Sequence, residues 1–216
     1  MHANLRRTTA PAYEPVPSDA PLRLADTTPV AGGAQCTIYA HPANPGLLFK
    51  IMKNKRRVWY KRQFSRAGHM MPVVREIEEY IALNNSSRRD ADLVERVIGV
   101  AMTDLGLALA VEALRDRAGH LAPTLGTLRR LGGVDRAVRL KLDQFLDRVV
   151  ASDLIAYDIR SRNIVYAYDP LTGEERFVLV DGIGERRVFP VSALIPGLNR
   201  FNKKRRIRRM LADLRF

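Results

Sequence analysis

Residues 157–165 read YDIRSRNIV, and residues 178–186 read VLVDGIGER. The first stretch sets Asp158 and Asn163 five positions apart in a polar, loop-like run; the second closes an apolar, β-prone run on Asp181, 18 positions after Asn163. Between them NIVYAYD and RFVLVD read as strands flanking the turn DPLTGEE, a hairpin that returns Asp181 beside Asn163. A hard cation such as Mg²⁺ takes oxygen ligands, and protein need supply only one or two when phosphate and water supply the rest. Asn163 and Asp181 suit that role. Asp158 is then left to accept a proton from an attacking hydroxyl. Far upstream, Lys50 in the strand-like FKIM offers a point charge to phosphate oxygens, and a carboxylate on the next helix would hold that ammonium in place.

Working outward, VDRAVRLKLDQFLDRVVASD (134–153) leads into the loop with Val138, Leu142, Phe145, Leu146 and Val149 at the spacing of one helical face. TLGTLRRLGG before it reads as a short helix ended by glycines. REIEEYIALN (75–84) has Ile77, Tyr80, Ile81 and Leu83 at helical spacing, and VERVIGVAMTDLGLALAVEAL (94–114) reads as two strands joined at TDLG. CTIYA and LLFKIM are strands separated by PANPG, and Gly32-Gly33 marks a turn before them. The tail FNKKRRIRRMLADLRF carries Phe201, Ile207, Met210, Leu211 and Leu214 at helical spacing, with arginines on its other faces. This order predicts an α+β protein in two unequal lobes. A Pro/Ala-rich leader, 1–21, reads as disordered. It is followed by a β-rich N-lobe over 22–114, a minimal helical C-lobe over 115–199 and a basic amphipathic helix over 200–216.

The chain has 216 residues, 46% apolar, enough for a real core. Its single cysteine, Cys36, excludes a disulfide framework and a multi-Cys zinc site, and reads as a strand residue. The longest apolar stretch, 97–114, contains Asp104 and Glu112 and so is no membrane span. The leader lacks the apolar core of a secretory signal. A cytoplasmic location is expected. His41 in AHPANPG reads as a turn residue, and His2, His69 and His120 lack metal spacing.

The net charge of +13 is concentrated in two places. Residues 51–75 carry eight Lys/Arg and no acid, residues 200–216 carry eight against Asp213, and everything else sums to −2. The body is near neutral with two basic segments. The stretch 53–74 reads as a basic insertion with Trp59, Tyr60 and Phe64 among its cations. An anionic membrane surface or a phosphorylated glycolipid is a better expectation for such segments than nucleic acid. The tail fits either an interfacial anchor or a packed terminal helix with a wet basic face, of which the packed form is preferred.

In order, the pieces TIYAHP, FKIM, REIEEYIAL, AYDIRSRNIVY and LVDGIGE resemble the protein-kinase-like fold. Most closely they resemble the small bacterial family named for the PhoP regulatory network protein YrbL, and the likeness extends over about 22–190. The resemblance implies a compact two-lobed fold and the cofactors ATP and Mg²⁺. It casts Lys50 as the strand lysine that binds nucleotide phosphates and Glu76 as its helical partner, with Glu78 and Glu79 as rivals. Asp158 corresponds to the catalytic-loop Asp, and Arg160 to a cation that contacts the transferred phosphoryl. Asn163 and Asp181 correspond to metal ligands, Gly32 and Gly33 to the phosphate-covering turn, and Glu112 to Leu114 to the hinge that meets adenine. The loop has Ala156-Tyr157 where protein kinases carry His-Arg, and Asp181-Gly182-Ile183-Gly184 stands for Asp-Phe-Gly. Only 35 residues follow Asp181, leaving no room for a peptide platform, so the expected acceptor is a hydroxyl of a small or anionic molecule. Two other classes fit the same residues: a pseudokinase that binds nucleotide without chemistry, and a basic nucleic-acid or membrane-surface adaptor.

Overall fold

The computed structural model describes residues 21–33, 35–53, 67–86, 90–184 and 195–215. The leader up to residue 20 and most of the basic insertion, with Trp59, Tyr60 and Phe64, lie outside the described residues.

Five antiparallel strands form the upper sheet: β1 (Ala31–Gly32), β2 (Cys36–Ala40), β3 (Leu47–Met52), β4 (Val97–Thr103) and β5 (Gly106–Glu112), in the order β1-β2-β3-β5-β4. Side chains alternate between the two faces of a strand, and β3 uses both. Phe49 and Ile51 pack with Leu24, Ala108 and Ala110 on one face; Leu48 and Met52 join Val73, Leu109 and Val111 on the other. Lys50 therefore belongs to the second face, which α1 (Met71–Ser86) covers. The first face is closed by the chain entering the domain. Leu22 pairs with Thr103 beside β4, and Asp104 accepts from Leu24 N at 2.8 Å, which fixes the fully buried Leu24 over the sheet.

The lower half contains α2 (Leu125–Arg130), α3 (Arg136–Ala151), the hairpin β6 (Ile164–Asp169) and β7 (Glu174–Leu179), and α4 (Pro196–Asp213). Asp135 caps α3 by accepting from Val138 N at 2.8 Å. The buried stripe of α3 is Leu142, Phe145, Leu146 and Val149. These side chains share one cluster with Leu154, Ile164, Phe177 and Leu179, with Ile207 and Met210 of α4, and with Leu83 near the end of α1. Helix α1 thus contributes to both cores.

The α+β class and the β-rich and helical halves agree with the sequence reading, and two boundaries move. Helix α1 begins at Met71, four residues before the expected Arg75, so the basic stretch ends inside a helix. Proline is tolerated in its first turn, where the amide has no helical partner, which is why Pro72 does not delay it. Helix α4 begins at Pro196, not at 200, for the same reason. Its apolar residues Ile207 and Met210 are buried, whereas Phe201 is 62% exposed.

Truncating Leu142, which is fully buried, to alanine is expected to cost about 2–5 kcal/mol. Leu140→Ala on the exposed side of the same helix should stay within about 0.5 kcal/mol. Urea unfolding of the two variants measures the contrast.

Candidate functional site

Lys50 is 5% exposed and makes three polar contacts at its tip. Its Nζ donates to Glu76 Oε1 at 2.5 Å, to the Val180 carbonyl at 2.7 Å and to Glu95 Oε1. An ammonium has three donors, so all are engaged. The choice among three helical acids resolves to Glu76. It lies on the stripe Val73, Glu76, Leu83 that α1 buries, whereas Glu78 faces solvent. Glu79, also buried, turns elsewhere: its Oε1 accepts from Ile155 N at 2.7 Å.

Glu95 was not a sequence candidate. Its amide bonds the Leu179 carbonyl at 3.1 Å, which brings its carboxyl against the ammonium. A single acid inside the strand-like VERVIGV was the only available signal. Burial raises the Glu95 carboxyl to about 8; Lys50 opposes this, and Glu76 and Asp181 add to it. Burial works against the charge on Lys50, but Glu76 and Glu95 outweigh it and hold the ammonium well above the ordinary lysine range. Two carboxyls around one ammonium in a dry site leave a surplus negative charge. Burial and that surplus together raise the Glu95 carboxyl.

The loop before β6 is anchored by backbone. Tyr157 N and Asp158 N both donate to the Gly182 carbonyl, at 2.8 and 3.1 Å, and Gly184 N donates to Ile155 O at 2.8 Å. Gly182 and Gly184 have φ of +82° and +87°, and an added Cβ would lie 2.7 Å from Asp158 and Arg75 backbone atoms respectively. Only glycine fits either place. Val180 N donates to Asn163 O at 2.8 Å, so the hairpin does return Asp181 beside Asn163. Asn163, 5% exposed, donates its amide to Asp158 O at 2.9 Å. Asp158 is paired with Arg160 at 2.6 Å and Arg162 at 3.5 Å. Asp181 Oδ1 accepts from Gly182 N at 2.6 Å, and the residue is exposed.

Helix α4 holds the segment leading into this loop through side chains that no motif predicted. Asn199 donates to Leu154 O at 3.1 Å, Lys203 to Ser152 O at 2.7 Å and Arg206 to Ala156 O at 3.0 Å. These donors stand on one helix face, and their acceptors are alternate carbonyls of one extended segment. Lys203 is fully buried, and burial lowers its pKa to about 8 against the pull of Asp153.

A cavity of about 480 Å³ separates the two halves. Gly32, Gly33, Lys50, Glu112, Leu114, Asp158, Asn163 and Asp181 all line it. Glu76 sits behind Lys50, and Arg160 is reached through Asp158. Neither Gly32 nor Gly33 is sterically required by the protein, since an added Cβ would meet nothing closer than 3.8 Å. Ala34 of the same turn lies outside the described residues. Cys36 also lines the cavity; burial raises its thiol, which keeps it protonated and unreactive. His41 caps a turn, accepting at Nδ1 from Ala43 N and Asn44 N at 3.0 Å each. Among the described residues no group of three His, Cys, Asp or Glu could hold a metal, and no helix is long and apolar enough to cross a membrane. An Asn-Asp pair that shares a cation with phosphate is a different donor set, and its all-oxygen chemistry fits Mg²⁺.

Among solved structures, a crystal structure of a kinase domain matches at 12% sequence identity and a TM-score of 0.46, covering 71% of this chain and 48% of that one. The chain therefore spans about half the length of that domain. No curated protein matches it. The family model described as PhoP regulatory network protein YrbL matches residues 22–215, almost the whole chain, and the chain belongs to that family.

Proposed function

We propose that the protein is an ATP- and Mg²⁺-dependent phosphotransferase of kinase-like design that acts on a hydroxyl of a small or anionic acceptor. The carrying observation is the convergence of Lys50, Asp158, Asn163 and Asp181 on one cavity between the halves. A triphosphate in that cavity would meet the Gly32-Gly33 turn from above, where no protein atom demands glycine and bare backbone leaves room for close approach. Adenine would lie toward Glu112 to Leu114. Asn163 and Asp181 would hold Mg²⁺, which supplies charge neutralisation at the phosphates when bound. Asp158 takes the proton of the acceptor hydroxyl as that oxygen bonds the γ-phosphorus. The bond from the γ-phosphorus to the bridging oxygen breaks, and ADP departs with the electron pair. Arg160 and Arg162, both mostly exposed, can turn from Asp158 toward the incoming phosphoryl.

Lys50 constrains this chemistry. A phosphate can reach its ammonium only by displacing one of these three acceptors. The two arginines on Asp158 favour a second reading, a nucleotide-binding regulatory module that does not turn over.

Asp158→Asn should lower phosphoryl transfer by at least about 100-fold while leaving Mg·ATP affinity within about threefold, since a general base acts on the acceptor and not on nucleotide binding. Single-turnover assays over a panel of small hydroxyl acceptors, with nucleotide binding measured alongside, check both parts. Binding without transfer in the parent would select the regulatory reading.

Glu95 gives an independent pH test. Its carboxyl moves from 4.5 in the unfolded chain to about 8 when folded. Between those values the folded state holds a proton that the unfolded state lacks, so stability falls as pH rises through that window. Glu95→Gln should flatten that fall, measured as the difference in Tm between variant and parent across the window.

A further inference from the structure

Helix α4 has two faces with different fates. The inner face, Asn199, Lys203, Ile207 and Met210, is buried against the lower core. The outer face exposes Arg200, Lys204, Arg205, Arg208 and Arg209. None of these five pairs with a carboxylate among the described residues. They occupy about 14 Å of helix axis at 1.5 Å per residue. Phe201 lies in their midst, three, four and seven positions before Lys204, Arg205 and Arg208, and is 62% exposed. A single exposed ring is ordinary on a protein surface; what matters here is that it shares its helix face with five exposed cations that have no carboxylate partner among the described residues.

We propose that this outer face docks the protein on an anionic lipid bilayer. The apolar stripe that an interfacial helix would normally insert is already committed to the core, so docking uses the opposite side: cations among the headgroups and Phe201 at the acyl boundary. Charge complementarity gives about fivefold in partitioning for each Lys or Arg held at an anionic leaflet, and the ring adds a part that salt does not screen. Single-stranded nucleic acid fits this surface less well. A single strand is bound in a groove that tracks its backbone, whereas the helix presents a convex rod. A duplex admits a helix in its major groove and a ring against a thymine methyl, so duplex binding is an outcome that the test separates from vesicle binding. The inference stands apart from the phosphotransferase reading and needs no turnover.

The test is co-sedimentation of the full chain with vesicles of phosphatidylcholine alone and of equimolar phosphatidylcholine and phosphatidylglycerol. Binding is expected only to the anionic vesicles. Replacing Lys204, Arg205, Arg208 and Arg209 together by glutamine should weaken it at least about 100-fold. Phe201→Ser should weaken it about tenfold, and this loss should persist at high salt. All five positions are exposed, and an unchanged thermal transition confirms that the variants fold. Undiminished binding of the glutamine variant to anionic vesicles would overturn the proposal. So would tighter binding of the parent to single- or double-stranded oligonucleotides that the same substitutions abolish.

Discussion

A buried ammonium surrounded by three oxygen acceptors is the constraint around which the structure is arranged. Lys50 gives one hydrogen bond each to Glu76, Glu95 and Val180, and those partners come from α1, the approach to β4 and the end of β7. The contact therefore ties the upper sheet to the lower hairpin. For stability alone, well-packed apolar side chains would serve as well as such a set, and losing one partner strands the others at a cost of about 3–5 kcal/mol. Perturbed ionisable groups such as Lys50 and Glu95 cluster at functional sites, and structural ion-pair networks perturb them too. Burial, with Glu76 and Asp181 nearby, accordingly raises the Glu95 carboxyl against the pull of Lys50.

The second organising element is α1, which addresses both halves through residues three apart. Glu76 reaches the strand lysine, and Glu79 reaches Ile155 just before the Asp158 loop. A shift of this helix would move both contacts together. On its far edge the same 152–156 segment is held by Asn199, Lys203 and Arg206, and Gly182 and Gly184 close it from the Asp181 side. The loop that carries Asp158 is thus fixed by side chains on one edge and by backbone on another.

How legible this was depends on sequence separation. Strong local periodicity exposed α3, the β4–β5 pair and the β6–β7 hairpin, and the five-residue interval from Asp158 to Asn163 drew attention to the loop. The Lys50 partner was ambiguous because Glu76, Glu78 and Glu79 differ only in helical phase, and the start at Met71 that fixes the phase was hidden by the basic stretch before it. Glu95 was missed because nothing local marks an acid whose partner lies 45 residues upstream. The α4 donors were missed because Lys203 and Arg206 look in sequence like two more members of a solvated cationic run. Burial separates them from Lys204 and Arg205, and burial is a property of the fold.

The proposed occupant of the cavity is a magnesium-bound triphosphate between Lys50 and Asp181. Calorimetric titration of Mg·ATP into the full chain and into Asp181→Ala, an exposed substitution that removes none of the Lys50 hydrogen bonds, tests it most directly. The account predicts saturable one-site binding in the parent and at least about tenfold weaker binding in the variant. No saturable heat in the parent, or the same affinity in both, would contradict it.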